Sequence, residues 1–263
     1  PSGVTAAYRL GWTVLLLLPV VLLRCRAELR RVTARDLVLC GASGVLLALH
    51  FLTWFESLKR TSVASSTVLV STEVIFTALG FALFLHGKIP RLGVWAILLA
   101  FGGSALLALS GGGGAGELSG NLLALAAASA AAVYTLIGRV QRGHLSTTVY
   151  TFLTYLACFL TLLLGTAAAG TPLTGYGGRE CLIGLALAVL CTLLGHSLFS
   201  WCLKYLSPSY VSAAKLCEPV FSSLAAIPLF GEVPGPLQLA GGAAVLGAVL
   251  LYTWAEREKT PAG

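Results

Sequence analysis

Three ionisable side chains stand inside stretches otherwise built of apolar residues. Glu73 lies in VSTEVIFTAL, and Lys215 and Glu218 lie in KLCEPVFSSL, with Pro219 directly after the second carboxylate. A carboxylate in such a place can hold a cation or exchange a proton. An ammonium three residues from a carboxylate can pair with it, because positions i and i+3 share one face of a helix. A charge at the centre of a bilayer-spanning helix costs roughly 3 kcal/mol, so it persists where a partner or a wet cavity offsets that cost. The Lys215 and Glu218 face also carries Ser212 and Ser222, and Ser62, Ser66, Glu73 and Thr77 form a comparable stripe. Pro219 lacks an N–H and leaves the Lys215 carbonyl without its donor, which predicts a kink at that level, tolerated where the backbone lines a cavity. We read this face as cavity-lining; the plainer reading is a Lys215 to Glu218 ion pair that locks a helix to its neighbour. Glu73 has no cation on its own helix and is the stronger candidate for cyclic protonation.

Further polar groups are candidates for the same cavity. His50 and His196 could relay protons, although a lone histidine on an apolar helix is more often a hydrogen-bonded packing residue. Trp54, Trp201, Tyr134 and Tyr155 could line a site or belong to the aromatic belt at the membrane surface. Arg9 suits the outer mouth of a cavity or a snorkelling position. The GASG run at Gly41 to Gly44 has the form of a nucleophile motif of intramembrane serine proteases, with Ser43 as nucleophile and His50 or His196 as base. An HxxxN element that would accompany it is absent, so Gly41 and Gly44 are read as close-packing residues. The seven cysteines, Cys25, Cys40, Cys158, Cys181, Cys191, Cys202 and Cys217, show no CxxC and no metal-ligand spacing. No metal, cofactor or ATP motif is indicated.

The elements that must position these groups follow from composition. Of 263 residues 57% are hydrophobic, only 10% are charged, and Asp36 is the single aspartate. Apolar runs of about 20 residues recur along the chain, which excludes a soluble fold and predicts helices that cross a bilayer. Nine spans are expected near residues 6–23, 37–55, 63–85, 92–109, 120–138, 147–168, 181–203, 210–230 and 237–254. The glycine-rich SGGGGAGELSG from Ser110 to Gly120 is a flexible joint by composition. The formal charge of +7 is read as topology and not as nucleic-acid affinity. Arg24, Arg26, Arg30, Arg31, Arg35, Lys88, Arg91, Arg139, Arg142, Lys204, Arg257 and Lys259 fall in alternate loops, which places those loops and the C-terminus inside. Lys59, Arg60 and Arg179 fall in the others.

The two halves resemble each other. WFESLKRTSVASSTVLVSTEVIFTAL from Trp54 aligns with FSWCLKYLSPSYVSAAKLCEPVFSSL from Phe199 without a gap, at an offset of 145 residues. Lys59 then meets Lys204, Ser62 meets Ser207 and Glu73 meets Glu218; after a one-residue slip GKIP meets GEVP. Because Lys59 and Lys204 fall on opposite sides, the copies are expected to cross the membrane in opposite directions, an architecture of secondary transporters. The second copy has five spans and the first four, and the missing one is expected to precede Pro1. The small-residue series Ala100, Ser104, Ala108 and Ala240, Ala244, Ala248 read as helix packing faces.

The run from Gly195 to Thr253 closely resembles the last three helices of EamA-type permeases in the drug/metabolite transporter superfamily. The similarity is carried by WCLKYLSP from Trp201, the E-P-V at Glu218, LFGE from Leu229 and the closing glycines Gly242 and Gly247. GNLLALAAASAAAVYTLIGR resembles the family's sixth helix, and PSGVTAAYR the link into its second. The resemblance implies an all-α membrane protein of two inverted five-helix repeats, nine spans here and ten in the full protein. Residues 1–110 would form the first repeat, 111–119 the linker, 120–256 the second repeat and 257–263 a cytoplasmic tail. It implies export of a small polar metabolite or drug by alternating access, with protons as candidate coupling ion and no enzymatic role. The partners implied are a small-molecule solute and the lipid bilayer, without nucleic acid, and a homodimer is compatible with the family. The expected location is the cytoplasmic membrane of a bacterium, as the Ala-, Leu- and Gly-rich composition suggests. The alternatives are an intramembrane protease using Ser43 and a membrane scaffold that transports nothing.

The charge distribution makes a direct prediction. In a cysteine-free background, cysteines at Arg30 and Arg142 are labelled from the cytoplasm, and ones at Gly113 and Gly177 from outside. Labelling of Gly113 and Arg142 from the same side would remove the inverted arrangement.

Overall fold

A computed structural model describes residues 2–61, 63–109, 118–218, 220, 221, 224, 228 and 235–257, and these are helical throughout with short connections. In chain order the helices are α1 Ser2–Arg24, α2 Arg26–Leu29, α3 Ala34–Arg60, α4 Val63–Val70, α5 Glu73–Phe84, α6 Arg91–Leu109, α7 Leu118–Gln141 and α8 Thr147–Ala168. They are followed by α9 Gly178–Ala186, a π-helical stretch Leu187–His196, α10 Ser197–Cys202, α11 Pro208–Lys215 and α12 Pro236–Arg257. Among the described residues six stretches are long and apolar enough to cross a bilayer: Gly3–Arg24, Ala34–Arg60, Ser66–Phe84, Leu118–Gln141, Thr147–Ala168 and Gly178–Cys202. Arg91–Leu106 and Leu239–Ala255 are shorter apolar helices. The linker residues 110–117, Ser62, Pro219, Ser222, the GEVP run and residues 258–263 lie outside the described residues, as does the kink expected at Pro219.

Two compact units emerge, each drawing on both halves of the chain. The first contains residues 1–55 and 133–206, the second residues 56–132 and 207–263. In the first unit α1 packs along α8 and against α9 and the π-helical stretch. Leu10, Val14 and Val21 meet Leu47, Phe51, Tyr155, Cys158 and Leu162 in one buried cluster. Gly44 lets α3 approach α8, since a Cβ there would lie 2.6 Å from the Ala157 Cβ. Ser43, fully buried, shares a 2.9 Å hydrogen bond with the Tyr150 hydroxyl. The hydroxyl partner of this buried serine is a phenol, and Ser43 and Gly44 take part in the α3 to α8 packing. Gly41 corrects the expectation in part, because a Cβ there would meet nothing within 4 Å.

In the second unit α6 and α12 form the main contact, around Ala96, Ala100, Val245, Ala248 and Tyr252. A Cβ on Gly103 would lie 2.8 Å from the Gly241 carbonyl oxygen and 3.0 Å from the Ala244 Cβ, so small residues set this approach. In hydrocarbon no hydrophobic effect drives helices together, and close backbone contact through small residues takes its place. Outward side chains such as Leu23, Leu164 and Leu250 are correspondingly apolar and exposed.

Three helices depart from the continuous rods expected from the sequence. The stretch 63–85 breaks at Ser71 and Thr72, where the Thr72 N–H and hydroxyl both turn to the Leu69 carbonyl three residues back, at 3.1 and 2.6 Å. In the stretch 210–230, α11 stops at Lys215; the N–H groups of Leu216 and Cys217 bond to the carbonyls of Ala213 and Ala214, three residues back. The stretch 181–203 widens to a π-helix, where the Ser197 hydroxyl donates to the Thr192 carbonyl five residues back at 3.2 Å. Such π segments are rare and concentrate at functional sites.

Two arginines assigned to topology alone also have internal work. Arg139 Nη1 donates to the carbonyls of Leu203, Lys204 and Leu206 at 2.6, 3.0 and 3.4 Å, and Arg142 Nε to that of Ser200 at 3.0 Å. These are carbonyls in and after α10 that the helix end leaves without partners. Arg142 is only 3% exposed, so His144, exposed beside it, is the accessible reporter for labelling that end of the unit.

Replacing Gly44 with valine forces α3 from α8 and is expected to cost about 1–3 kcal/mol, as overpacking does, whereas Gly41→Ala leaves stability unchanged. Thermal unfolding in detergent distinguishes the two; equal midpoints would show that the α3 to α8 approach does not depend on Gly44.

Candidate functional site

The second unit contains the ionic site. Lys215 is the last residue of α11 and Glu73 the first of α5, and the lysine Nζ stands 2.7 Å from Glu73 Oε1. Their side chains are 18% and 14% exposed, so the pair is largely but not wholly withdrawn from the surface. Ser212, one turn before the lysine, donates to Glu73 Oε1 at 3.4 Å and to Thr77 Oγ1 at 3.2 Å. Ser212 and Thr77 are buried. The two polar stripes recognised in the sequence therefore lie against each other, and the lysine's carboxylate at 2.7 Å is on the other stripe. Glu218 is exposed and follows the turn after Lys215 at which α11 ends. Ser66 turns instead to Ser57 at 2.9 Å.

Charge and helix geometry agree at this site. A carboxylate at a helix N-terminus and an ammonium at a helix C-terminus each face the favourable end of the backbone dipole. The breaks that create those ends fall at matching places. With the offset of 145 residues, Val63 corresponds to Pro208 and Val70 to Lys215, so α4 and α11 start and stop together. Ser207 caps α11 by accepting from the Tyr210 N–H at 3.2 Å, with Pro208 at the first helical position.

The first unit contains an aromatic and basic cluster. Five of the candidate residues, Arg9, His50, Trp54, Tyr134 and His196, gather around Phe51. The Arg9 guanidinium lies 4.6 Å above the Phe51 ring, and its Nε donates to Thr192 Oγ1 at 2.7 Å. His50 stacks on Trp54 at 5.8 Å, and His196 meets Phe51 edge-on at 5.7 Å and Tyr134 at 6.4 Å. Tyr134 shares a hydrogen bond with Ser200 Oγ at 3.3 Å, and Tyr155 one with Ser197 at 3.2 Å. Arg9 is buried, as are His50 and Tyr134, so the snorkelling reading of Arg9 does not hold. The Trp54 indole nitrogen is buried with no hydrogen-bond partner among the described residues, a rare condition for such a donor.

Trp201 stands apart from this cluster, half-exposed and tilted against Tyr205 at 5.0 Å. Phe51 and Thr192 were not legible as site residues. A phenylalanine among leucines carries no mark of a cation above it, and nothing in the sequence announces the π-helix that presents Thr192. Among the described residues no group of three or more His, Cys, Asp or Glu side chains is arranged to hold a metal ion.

Comparison with known proteins places this arrangement. Residues 1–109 and 118–254 match the EamA-like transporter family. The chain is 28% identical over 233 residues to a protein of Streptantibioticus cattleyicolor named "Probable terminal-alkyne amino-acid exporter", covering 84% of this chain and 75% of that one. It is 29% identical over 227 residues to the "Uncharacterized transporter YwfM" of Bacillus subtilis, covering 84% of this chain and 74% of the relative. A solved crystal structure has the same fold, with a TM-score of 0.78 at 19% identity over 99% of this chain and 90% of the other.

The ion pair predicts a thermodynamic cycle. Lys215→Met or Glu73→Gln alone leaves a charge in poorly hydrated surroundings and is expected to lower stability by about 3 kcal/mol, whereas the double variant recovers most of the loss. Unfolding midpoints of the four proteins in one detergent give the coupling; additive losses would mean that the two groups do not interact.

Proposed function

The chain belongs to the EamA-like transporter family, and from that premise we propose that it is a secondary transporter that exports a small polar metabolite by alternating access, coupled to proton counterflow. It is a multi-pass membrane protein of a transporter family and not of an enzyme family. We place it in the cytoplasmic membrane of a bacterium, with nine spans arranged as an inverted repeat of five-helix units.

The observation that carries the proposal is the Glu73 to Lys215 pair at two helix interruptions that fall at equivalent positions of the two halves. Interrupted helices with polar ends facing a solute are a recurring solution in transporters, because unpaired backbone in a membrane is tolerated where it lines a cavity. The composition of the two units is in keeping with the repeat, since each unit takes one segment from either half of the chain. One charge of each sign is also the complement of a zwitterion, the form of the amino-acid cargo named for the Streptantibioticus relative.

In this reading Lys215 holds Glu73 ionised in the resting state. Solute and proton compete for the site: the ionised carboxylate and the lysine receive the solute from the cytoplasm, protonation of Glu73 from outside releases it, and loss of that proton inside restores the pair. Glu218, Arg9, His50, Trp54, Tyr134, His196 and Trp201 would line the path, with the Trp54 indole N–H offering a donor to a passing solute. The buried Ser43 to Tyr150 contact gives the protease alternative no support.

In proteoliposomes, Glu73→Gln is expected to abolish accumulation driven by a pH gradient while retaining exchange of solute, because a carboxamide imitates the protonated acid but cannot cycle. The Lys215→Met, Glu73→Gln double variant is expected to fold and yet transport at least tenfold more slowly, about 1.4 kcal/mol or more of lost transition-state stabilisation. Wild-type proton coupling in Glu73→Gln would exclude that carboxylate from the mechanism, and full transport by the double variant would reduce the pair to scaffolding.

A further inference from the structure

The connection from α1 to α3 holds five arginines in twelve residues: Arg24, Arg26, Arg30, Arg31 and Arg35. All five are exposed. Positive residues in such a loop fix topology, but topology needs only charge, whereas here the charge has a shape. A cavity of about 540 Å³ opens at this end of the first unit, lined by Arg24, Arg31, Glu28, Thr33, Asp36 and His144 among others. That volume accommodates a phosphodiester with a small polar headgroup.

The two carboxylates of the cavity are held by donors within the protein and form no ion pair with the arginines. Glu28 Oε1 accepts from the backbone N–H of Ser146 at 2.6 Å, at the start of α8. Asp36 Oδ2 accepts from the Thr33 N–H and hydroxyl at 3.0 and 2.7 Å, and its Oδ1 faces His144 Nε2 at 2.8 Å and Gln141 Nε2 at 3.3 Å. None of the five guanidiniums makes an ion pair among the described residues. Beside them the helix ends present an apolar rim to the bilayer, with Leu22, Leu23, Leu37 and Val38 exposed by 51%, 83%, 52% and 70%.

From this juxtaposition we propose that the α1 to α3 connection is a docking site for an anionic phospholipid, whose phosphate meets Arg24 and Arg31 while its acyl chains lie along the exposed leucines. Guanidinium groups suit this task because their planar fork pairs two phosphate oxygens at once, and each basic residue near an anionic leaflet adds about fivefold to binding. A free phosphate ester shares the charge but leaves the apolar rim uncovered, which is why the lipid is the occupant. The proposal does not depend on the transport mechanism.

The test uses the full chain in nanodiscs of phosphatidylcholine with and without phosphatidylglycerol, followed by native mass spectrometry of the lipids that stay bound. Phosphatidylglycerol is expected to be retained in preference to phosphatidylcholine, and Arg24→Gln with Arg31→Gln to weaken that retention roughly fivefold for each guanidinium removed. Arg179→Gln, which removes one charge elsewhere, is expected to change nothing. Arg24→Lys with Arg31→Lys, which keeps both charges, is expected to retain most of the binding and serves as the second variant if the glutamine pair does not fold. Equal retention of the two lipids by the unaltered protein would overturn the proposal. So would unchanged retention in the glutamine variant, and so would displacement of the lipid by soluble glycerol phosphate, which would identify a phosphate site without a lipid.

Discussion

An ammonium and a carboxylate 2.7 Å apart, with most of their water removed, set the terms for the second unit. Neither charge is tolerable there alone, and the attraction that compensates each is strong because the surroundings screen it poorly. The backbone is arranged to help. Ending one helix at Lys215 and starting another at Glu73 brings the carbonyl end of α11 and the N–H end of α5 to the charges they favour. An uninterrupted helix at either place would leave its charge against a helix flank with no dipole end to meet it.

Hydroxyl groups accompany two of the departures from a regular helix. The Thr72 hydroxyl bonds to the Leu69 carbonyl at the end of α4, and Ser197 spans the wider turn of the π-helical stretch. In an aqueous protein such side chains could find water instead. In a membrane the nearest acceptor is the backbone one turn back, so short hydroxyl residues become instruments for shaping helices. The same stretch turns Thr192 to Arg9, so that the arginine held above Phe51 also has a hydrogen-bond acceptor.

Arginines of the first unit serve three different ends. Arg9 is buried against an aromatic ring, Arg139 and Arg142 satisfy carbonyls in and after α10, and the five of the α1 to α3 connection remain exposed and without ion pairs among the described residues. Charge counting treats all of them alike. What separates them is the supply of neighbouring acceptors, which is a property of the packed structure.

The sequence alone determined the class of the molecule. The dearth of charge, the apolar runs of spanning length and the gapless match between WFESLKRTS and FSWCLKYLS are properties of residue types and order, and no packing is needed to read them. It also marked Glu73 and Lys215, because a charge is conspicuous where its neighbours are apolar. It could not say that the two face each other, since the residues lie 142 positions apart and each has nearer polar groups on its own helix. Nor could it show the widening around Thr192 or the ring of candidates around Phe51: a π-turn and a phenylalanine beneath a guanidinium leave no periodicity behind. Tertiary structure decided those points, because which buried donor meets which acceptor depends on neighbours that only folding brings together.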